Sequence, residues 1–163
     1  MKSSASMMDI FLNPGEVYFG DRDTRVRTIL GSCVAITVWH PQLRIGGMCH
    51  FVLPARNRTK IQDLDGRYAD EAILLLLKEI LRKQTDPYSY QVKLFGGGNM
   101  VDRYGGAAGG RLSVANRNVI AGRELLEEHG FAVAAEHLGG FGHRNVIFDI
   151  DSGDVWVKQT SPL

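Results

Sequence analysis

The sequence has little cysteine, no excess of either charge and no long hydrophobic run, and each absence excludes a class of protein. Its only cysteines, Cys33 and Cys49, are too few for the disulfide framework of a small secreted domain. The 19 Lys and Arg residues against 18 Asp and Glu residues give a formal net charge of +1. That balance argues against nucleic acid and anionic membranes as partners, because both attract a strong basic field. No apolar run approaches the roughly 20 residues that cross a bilayer.

These absences indicate a cytoplasmic protein without membrane insertion. The N-terminal MKSSASMMDIFLNPGE lacks the apolar core of a secretory signal. Cysteines stay reduced in the cytoplasm, so a cysteine in a special setting is expected to be catalytic rather than structural. We expect the protein to be monomeric.

Length and composition predict one domain. The chain has 163 residues, of which 44% are hydrophobic and 23% charged, which is ordinary for a soluble globular protein. Residues 1–13 are predicted to be a flexible N-terminal segment and residues 14–163 the domain. Glycine alone departs from the average, at 19 of 163 residues or about 12% against a usual ~7%.

Hydrophobic periodicity predicts two helices and eight strands. The helices are expected over 68–83, where apolar residues recur at helical spacing, and over 114–129, which Ser113 caps. The strands are expected over 16–19, 25–30, 33–39, 44–53, 91–95, 131–136, 145–150 and 154–158. Because most of these strands are not separated by helices, the pattern indicates an α+β fold rather than a doubly wound α/β fold.

The segment TILGSCVAITVWHPQLRIGGMCHFVLP predicts a hairpin that brings a cysteine to a histidine. Pro41 suits the second position of a four-residue HPQL loop. Counting from that loop places Trp39 opposite Arg44 and Cys33 opposite His50. One face of the hairpin is then entirely apolar or small, with Val34, Ile36, Val38, Ile45, Gly47 and Cys49. A slip of one residue would mix both faces, so hydrophobic burial selects against it.

A thiol beside an imidazole is the pair that a cysteine hydrolase needs. A free thiol has a pKa of about 8.5, and a neighbouring imidazolium lowers it. The thiolate attacks an acyl carbon, and the same histidine then protonates the leaving nitrogen. Gly31 and Ser32, just before Cys33, permit a turn whose N–H groups would stabilise the oxyanion. Thr28, on the preceding strand, is a candidate to orient His50.

A structural interpretation of these residues stays open. A single strand cysteine is often a small hydrophobic core residue, and a strand histidine is often a bystander. That interpretation fits Cys49 better than Cys33, because the predicted register puts Cys49 on the apolar face.

Other patterns do not indicate a cofactor or a metal. Gly96-Gly97-Gly98 follows a predicted strand, but the Gly-Lys-Ser/Thr of a phosphate-binding loop does not follow it. The acidic run after Asp149 lacks the twelve-residue calcium loop and its terminal Glu. Two Cys and five scattered His residues have no zinc-ligand spacing.

The segments LNPGEVYF, LGSCVAITVWHP, GGMCHFVLP, KLFGGGNM and RNVIFDIDSGDVWVK resemble the CheD family of chemoreceptor glutamine deamidases. The similarity runs from about Asn13 to Lys158, and LGSC and CHxxLP are its most specific parts. The resemblance implies a layered α/β/β/α sandwich of mixed β-sheets, similar to the catalytic domain of deamidating bacterial toxins. It also implies hydrolysis of selected receptor glutamine side chains to glutamate, with release of ammonia and without a cofactor.

The resemblance implies the site residues as well. The family's catalytic cysteine falls on Cys33 and its histidine on His50. Its catalytic threonine falls on Thr28, with Arg27 as the alternative because the spacing before the cysteine varies by a residue. The loop Gly96–Gly98, comprising Gly96, Gly97 and Gly98, would border the active-site cleft, where missing side chains let a receptor helix approach.

Two further hypotheses concern partners and substrate. The implied substrate is the cytoplasmic helical domain of chemoreceptors. Family members also associate with CheC-type phosphatases, so an adaptor or regulator is one alternative. A cysteine hydrolase acting on another acyl group, such as a receptor methyl ester, is the other, because both reactions pass through the same acyl-enzyme.

Overall fold

A computed structural model describes residues 7–57, 63–100 and 113–161. Within these ranges the chain forms nine strands, two α-helices and a short 3₁₀ turn over Pro87–Ser89. The strands are β1 Met8–Phe11, β2 Val17–Asp21, β3 Thr24–Leu30, β4 Val34–His40, β5 Ile45–Phe51, β6 Gln91–Gly96, β7 Ala132–Leu138, β8 His143–Asp149 and β9 Val155–Thr160. The helices are α1 Ala69–Arg82 and α2 Val114–Glu128.

Both predicted helices and all eight predicted strands are confirmed, with ends that differ by no more than two residues. The ninth strand, β1, lies in the segment predicted to be flexible, and the prediction is wrong there. β1 pairs in parallel with β3, from Met8 opposite Thr24 to Phe11 opposite Arg27. Leu12, which follows it, is buried. A four-residue strand at a sheet edge has too short a pattern to be recognised without its partner. Residues 1–6 lie outside the described residues.

The strands form two mixed sheets. The four-stranded sheet has the order β1-β3-β8-β9, and the five-stranded sheet has the order β2-β5-β4-β6-β7. Pairing is parallel between β1 and β3 and between β6 and β7, and antiparallel elsewhere. The fold is therefore α+β, as the order of predicted elements indicated.

The two sheets face each other, and both helices pack on the opposite face of the five-stranded sheet. Leu30 and Phe148 of one sheet meet Met48 of the other in the layer between the sheets. Ile73 of α1 and Leu126 of α2 belong to the core on the helical side. The described residues thus form three layers, α/β/β, rather than the four implied by the resemblance, because the two helices share one face. Both faces of β4 and β5 are covered, which explains their almost continuous burial.

Local chemistry sets where the helices begin. Ser113 caps α2 as predicted, since its Oγ accepts from the N–H of Asn116 at 3.1 Å. α1 has acidic Asp70 and Glu71 in its first turn, where the helix dipole favours negative charge. No helix in the described ranges combines the length and the hydropathy of a bilayer-spanning segment.

Candidate active site

The β4–β5 hairpin has the predicted faces but a register shifted by two residues. Val38 lies opposite Gly47, and Ala35 lies opposite His50. The predictions that Cys33 faces His50 and that Trp39 faces Arg44 are therefore wrong. A shift of two residues leaves every side chain on its predicted face, because side chains alternate along a strand with period two.

The turn explains the shifted register. Its four loop residues are 41–44, one position later than predicted, so that His40 pairs with Ile45. The backbone carbonyl of His40 accepts from the N–H of Arg44 at 2.8 Å. The imidazole Nδ1 of His40 accepts from the N–H of Leu43 at 3.1 Å. Arg44 adopts the left-handed conformation, with φ 51°. These interactions assign Arg44 to the turn rather than to the strand.

Cys33 and His50 lie on the layer between the two sheets. Cys33 immediately precedes β4, diagonally across from His50, and packs partly buried against the inter-sheet core. Diagonal positions on one face of a sheet lie about 7–8 Å apart, within reach of a long side chain. Cys49 points to the helical side and is fully buried, as predicted, and burial raises its pKa to about 12. Cys33 is therefore the accessible thiol of the two.

Thr28 holds the imidazole of His50 from the opposite sheet. The Thr28 hydroxyl donates to the carbonyl oxygen of Leu12 at 2.7 Å and lies 2.7 Å from His50 Nδ1. A hydroxyl has one proton, and the carbonyl can only accept. His50 Nδ1 must therefore carry the proton of this second hydrogen bond. Arg27 points to the exposed side of β3, so the structure favours Thr28 over the alternative left open by the sequence.

This tautomer leaves a lone pair on His50 Nε2. Nε2 is buried and has no hydrogen-bond partner among the described residues. Burial lowers the pKa of His50 to about 4, and the carboxylate of Glu16 opposes that shift. Above that pH the imidazole is neutral, and Nε2 is able to take a proton from a neighbouring group.

Burial also raises the pKa of the Cys33 thiol. The expectation that an imidazolium lowers this pKa is not met in the free protein, because burial disfavours the charged form of both side chains. Near neutral pH the free protein therefore holds a neutral Cys33 thiol beside a neutral His50 imidazole.

The three carbonyl groups of the turn Gly31–Cys33 all accept hydrogen bonds from neighbouring segments. The carbonyls of its three residues accept, in chain order, from the N–H of Gly98 at 2.9 Å, from Nδ2 of Asn118 at 3.1 Å and from the N–H of Gly97 at 2.9 Å. In a trans peptide the N–H points away from the carbonyl of the same unit. The N–H groups of Ser32 and Cys33 consequently point away from these donors, and neither has an acceptor in the described part of the chain. Backbone N–H groups without an acceptor are the donors from which oxyanion sites are built, so both are candidates for that role.

The loop Gly96–Gly98 packs against the carbonyl side of that turn. Gly97 has φ +64°, and a Cβ there would lie 2.3 Å from a side-chain atom of Val119 in α2. The buried Arg144 donates to the Gly96 carbonyl at 3.1 Å. The glycines therefore allow the loop to pack closely against the turn Gly31–Cys33. Their contact with a substrate stays a prediction.

Sequence reasoning missed two contributors to the site. One is the Leu12 carbonyl, which lies in the segment predicted to be flexible. The other is Asn118, a fully buried polar residue on α2. Asn118 follows Ala115 by three residues and precedes Gly122 by four, and both of these are buried. Its position on the inward face of the helix was thus the available signal.

Among the described residues, the candidate active site coincides neither with a cluster of metal-ligating side chains nor with the open cleft near α1. Across residues 7–57, 63–100 and 113–161, no three His, Cys, Asp or Glu side chains converge on a position for a metal ion. A cleft of about 820 Å³ is lined by parts of β2 and α1 and by residues 63–66. Cys33, His50 and Thr28 do not line it.

Several known proteins are similar to this chain over almost its whole length. The family model for CheD, described as chemotactic sensory transduction, matches residues 52–159. A protein of Pseudomonas savastanoi pv. phaseolicola named "Probable chemoreceptor glutamine deamidase CheD" is 52% identical over 159 residues, covering 98% of this chain and 89% of that protein. One of Dechloromonas aromatica, named "Probable chemoreceptor glutamine deamidase CheD 3", is 48% identical, covering 94% and 88%. A Pseudomonas syringae pv. syringae protein with the first of these names is 51% identical, covering 98% and 89%.

Proposed function

The chain belongs to the CheD family, and from that membership and the site geometry we propose that it deamidates selected glutamine side chains of chemotaxis receptors. The products are glutamate and ammonia, and the partner is the cytoplasmic helical domain of the receptor. The observation that carries the proposal is the hydrogen bond from His50 Nδ1 to Thr28, which leaves Nε2 unprotonated on the same layer as the Cys33 thiol.

The first half of the reaction releases ammonia. His50 Nε2 takes the thiol proton as Cys33 Sγ bonds to the amide carbon, and the carbonyl oxygen becomes an oxyanion. The N–H groups of Ser32 and Cys33 donate to that oxyanion. The C–N bond then breaks, and the His50 imidazolium gives its proton to the leaving nitrogen. A thioester remains on Cys33.

The second half restores the enzyme. A water molecule attacks the thioester carbon while His50 Nε2 takes one of its protons. The C–S bond breaks, the new carboxylic acid leaves, and the thiol of Cys33 regains a proton from His50. Amide and water are thus converted to acid and ammonia, with no net change in the protein.

Thr28 and Glu16 support His50 in both halves. The Thr28 oxygen accepts from Nδ1 in the neutral and the charged imidazole alike, so it keeps the ring oriented while Nε2 gains and loses its proton. The carboxylate of Glu16 favours the charged ring electrostatically. A purely adaptor role beside a CheC-type phosphatase would not need this hydrogen-bonded arrangement, which favours catalysis.

The test compares the two cysteines as a matched pair. Wild type, Cys33→Ala and Cys49→Ala are each incubated with a purified cytoplasmic fragment of a chemoreceptor, and the fragment is analysed by mass spectrometry. We expect a gain of about 1 Da at each deamidated glutamine with wild type and Cys49→Ala, and no gain with Cys33→Ala, because the nucleophile is removed.

The same spectra separate the alternatives. Hydrolysis of a receptor methyl ester appears as a loss of about 14 Da at a methylated glutamate, and that result without deamidation would replace the amide by the ester as substrate. Deamidation by Cys33→Ala at the wild-type rate would refute the assignment of the nucleophile.

A further inference from the structure

Asn118 is a buried polar side chain that contacts both chain segments of the site. It is 0% exposed. Its Nδ2 donates to the carbonyl of Ser32 at 3.1 Å and to the carbonyl of Val52 at 2.8 Å. Both neighbours can only accept, so the NH₂ group must face them. Its Oδ1 is buried with no hydrogen-bond partner among the described residues. The two donated bonds therefore set the orientation of this side chain.

The two acceptors belong to the segments that carry the reacting groups. Ser32 immediately precedes Cys33, and Val52 follows His50 by two residues. One side chain from α2 thus joins the turn of the nucleophile to the end of the strand that carries the base. Burial strengthens these two hydrogen bonds, since a buried carbonyl that loses its partner has no water to replace it.

The bond to Ser32 also sets the direction of one N–H group. The Ser32 carbonyl and the Cys33 N–H belong to the same trans peptide and point in opposite directions. Pulling the carbonyl toward Asn118 therefore turns the Cys33 N–H toward the opposite side. The peptides before and after it are held by the backbone N–H groups of Gly98 and Gly97, whereas this middle peptide is held by a side chain.

We infer that Asn118 is a positioning residue that aims the Cys33 N–H at the oxyanion, an inference that rests on the proposed function. Asn118 touches no reacting atom in this scheme. It acts through the Ser32–Cys33 peptide, so its loss weakens stabilisation of the tetrahedral intermediate while the Cys33 thiol and the His50 base stay in place.

The test uses Asn118→Leu, which keeps the side-chain size and removes both donated bonds. Removal of one oxyanion donor lowers kcat by about 10²–10³-fold, and a misaimed donor is expected to lower it by at least about tenfold, with KM changed by less than about threefold. Asn116→Leu is the matched control, because Asn116 lies exposed on the same helix. Ammonia release from the receptor fragment is the measurement.

Alkylation of Cys33 by iodoacetamide separates an effect on the oxyanion from an effect on the thiol. The reagent is attacked at a saturated carbon, so no oxyanion forms, and Cys49 is buried and does not compete. We expect Asn118→Leu to change the alkylation rate and its pH profile by less than about threefold, since thiolate reactivity depends on the surroundings of the sulfur. A parallel loss of alkylation and of kcat overturns the inference, because Asn118 would then shape the thiol–imidazole pair. An unchanged kcat overturns it as well.

Two further measurements apply where Asn118→Leu does not fold. Asn118→Ala is assayed in the same way at a temperature below its unfolding transition. In the wild-type protein, the Nδ2 protons of Asn118 are expected to exchange with solvent more slowly than those of Asn116, and equal exchange overturns the inference. Failure of the proposed function is distinguishable from failure of this inference. Activity in Cys33→Ala would contradict the proposed function. If Cys33→Ala is inactive and the Asn118 variants have normal activity, only the role of Asn118 is contradicted.

Discussion

Replacing Thr28 by valine tests the orientation of His50, the proposed general base, because it removes one hydroxyl and keeps the side-chain shape. The Thr28 oxygen lies 2.7 Å from His50 Nδ1 and 2.7 Å from the Leu12 carbonyl oxygen. Thr28, His50 and Leu12 are all buried in the free protein. Valine leaves the imidazole N–H and the carbonyl without partners, and nothing then distinguishes the reactive tautomer of His50 from the other one.

The geometry sets the expected size of both effects. Each buried group left without a partner costs about 1–3 kcal/mol, so the free energy of unfolding is expected to fall by about 2–6 kcal/mol. A hydrogen bond to a charged group, which the imidazolium becomes after proton transfer, contributes about 1.5–3 kcal/mol. At about 1.36 kcal/mol per tenfold change in rate, kcat for ammonia release is expected to fall by roughly 10–10²-fold.

The assay pairs Thr28→Val with two controls. Thr28→Ser keeps the hydroxyl and should retain most of the activity. Thr37→Val alters another buried threonine of the inter-sheet layer, and should leave kcat unchanged even where it lowers stability. Ammonia release is measured on the receptor fragment, and chemical denaturation gives the free energy of unfolding.

Two results would refute the reasoning about Thr28. One is full activity of Thr28→Val, which would show that His50 needs no partner at Nδ1. The other is a loss in Thr28→Ser equal to that in Thr28→Val, which would assign the effect to side-chain shape rather than to the hydroxyl.

Two further predictions concern stability. Burial lowers the pKa of His50 to about 4, whereas the imidazole of an unfolded chain has a pKa of about 6.5. Between these two pH values the unfolded chain therefore binds one more proton than the folded protein. The free energy of unfolding is expected to fall as the pH drops from about 6.5 to about 4, by up to about 3 kcal/mol. Denaturation of wild type and His50→Gln at pH 7 and pH 4.5 measures this, and an equal fall in both would exclude His50 as its source. Ser113→Ala removes the cap on the Asn116 N–H and should lower the free energy of unfolding by about 0.5–2 kcal/mol. Thermal denaturation with Ser113→Asp as control tests it, and a Tm equal to that of wild type contradicts it.

The hairpin shows how far sequence periodicity reaches. Alternation along β4 and β5 correctly predicted which side chains share a face, including the burial of Cys49 and the placement of Cys33 with His50. It could not choose between registers that differ by two residues, because both satisfy the same alternation. The choice came from the turn, where His40 binds the loop backbone and Arg44 takes a left-handed conformation.

The segment 8–12 shows a second limit of prediction from the sequence. Its four-residue strand has too few residues for a periodic signal, and it is ordered by pairing with β3. That pairing brings the Leu12 carbonyl to the Thr28 hydroxyl. Leu12, a residue predicted to be flexible, therefore contributes to the tautomer of the His50 imidazole.

The sequence by itself determined the α+β order of elements, the inward faces of the strands and helices, and the resemblance that pointed to Cys33 and His50. These are properties of neighbouring residues, since period and composition are local. Only the tertiary structure decided that Thr28 rather than Arg27 contacts His50 Nδ1, that Nε2 is the ring nitrogen without a partner among the described residues, and that Asn118 donates to the Ser32 carbonyl. Each of these depends on a polar atom and a partner many residues away in the chain, and such pairs are set by how the two sheets and α2 pack together rather than by any local pattern.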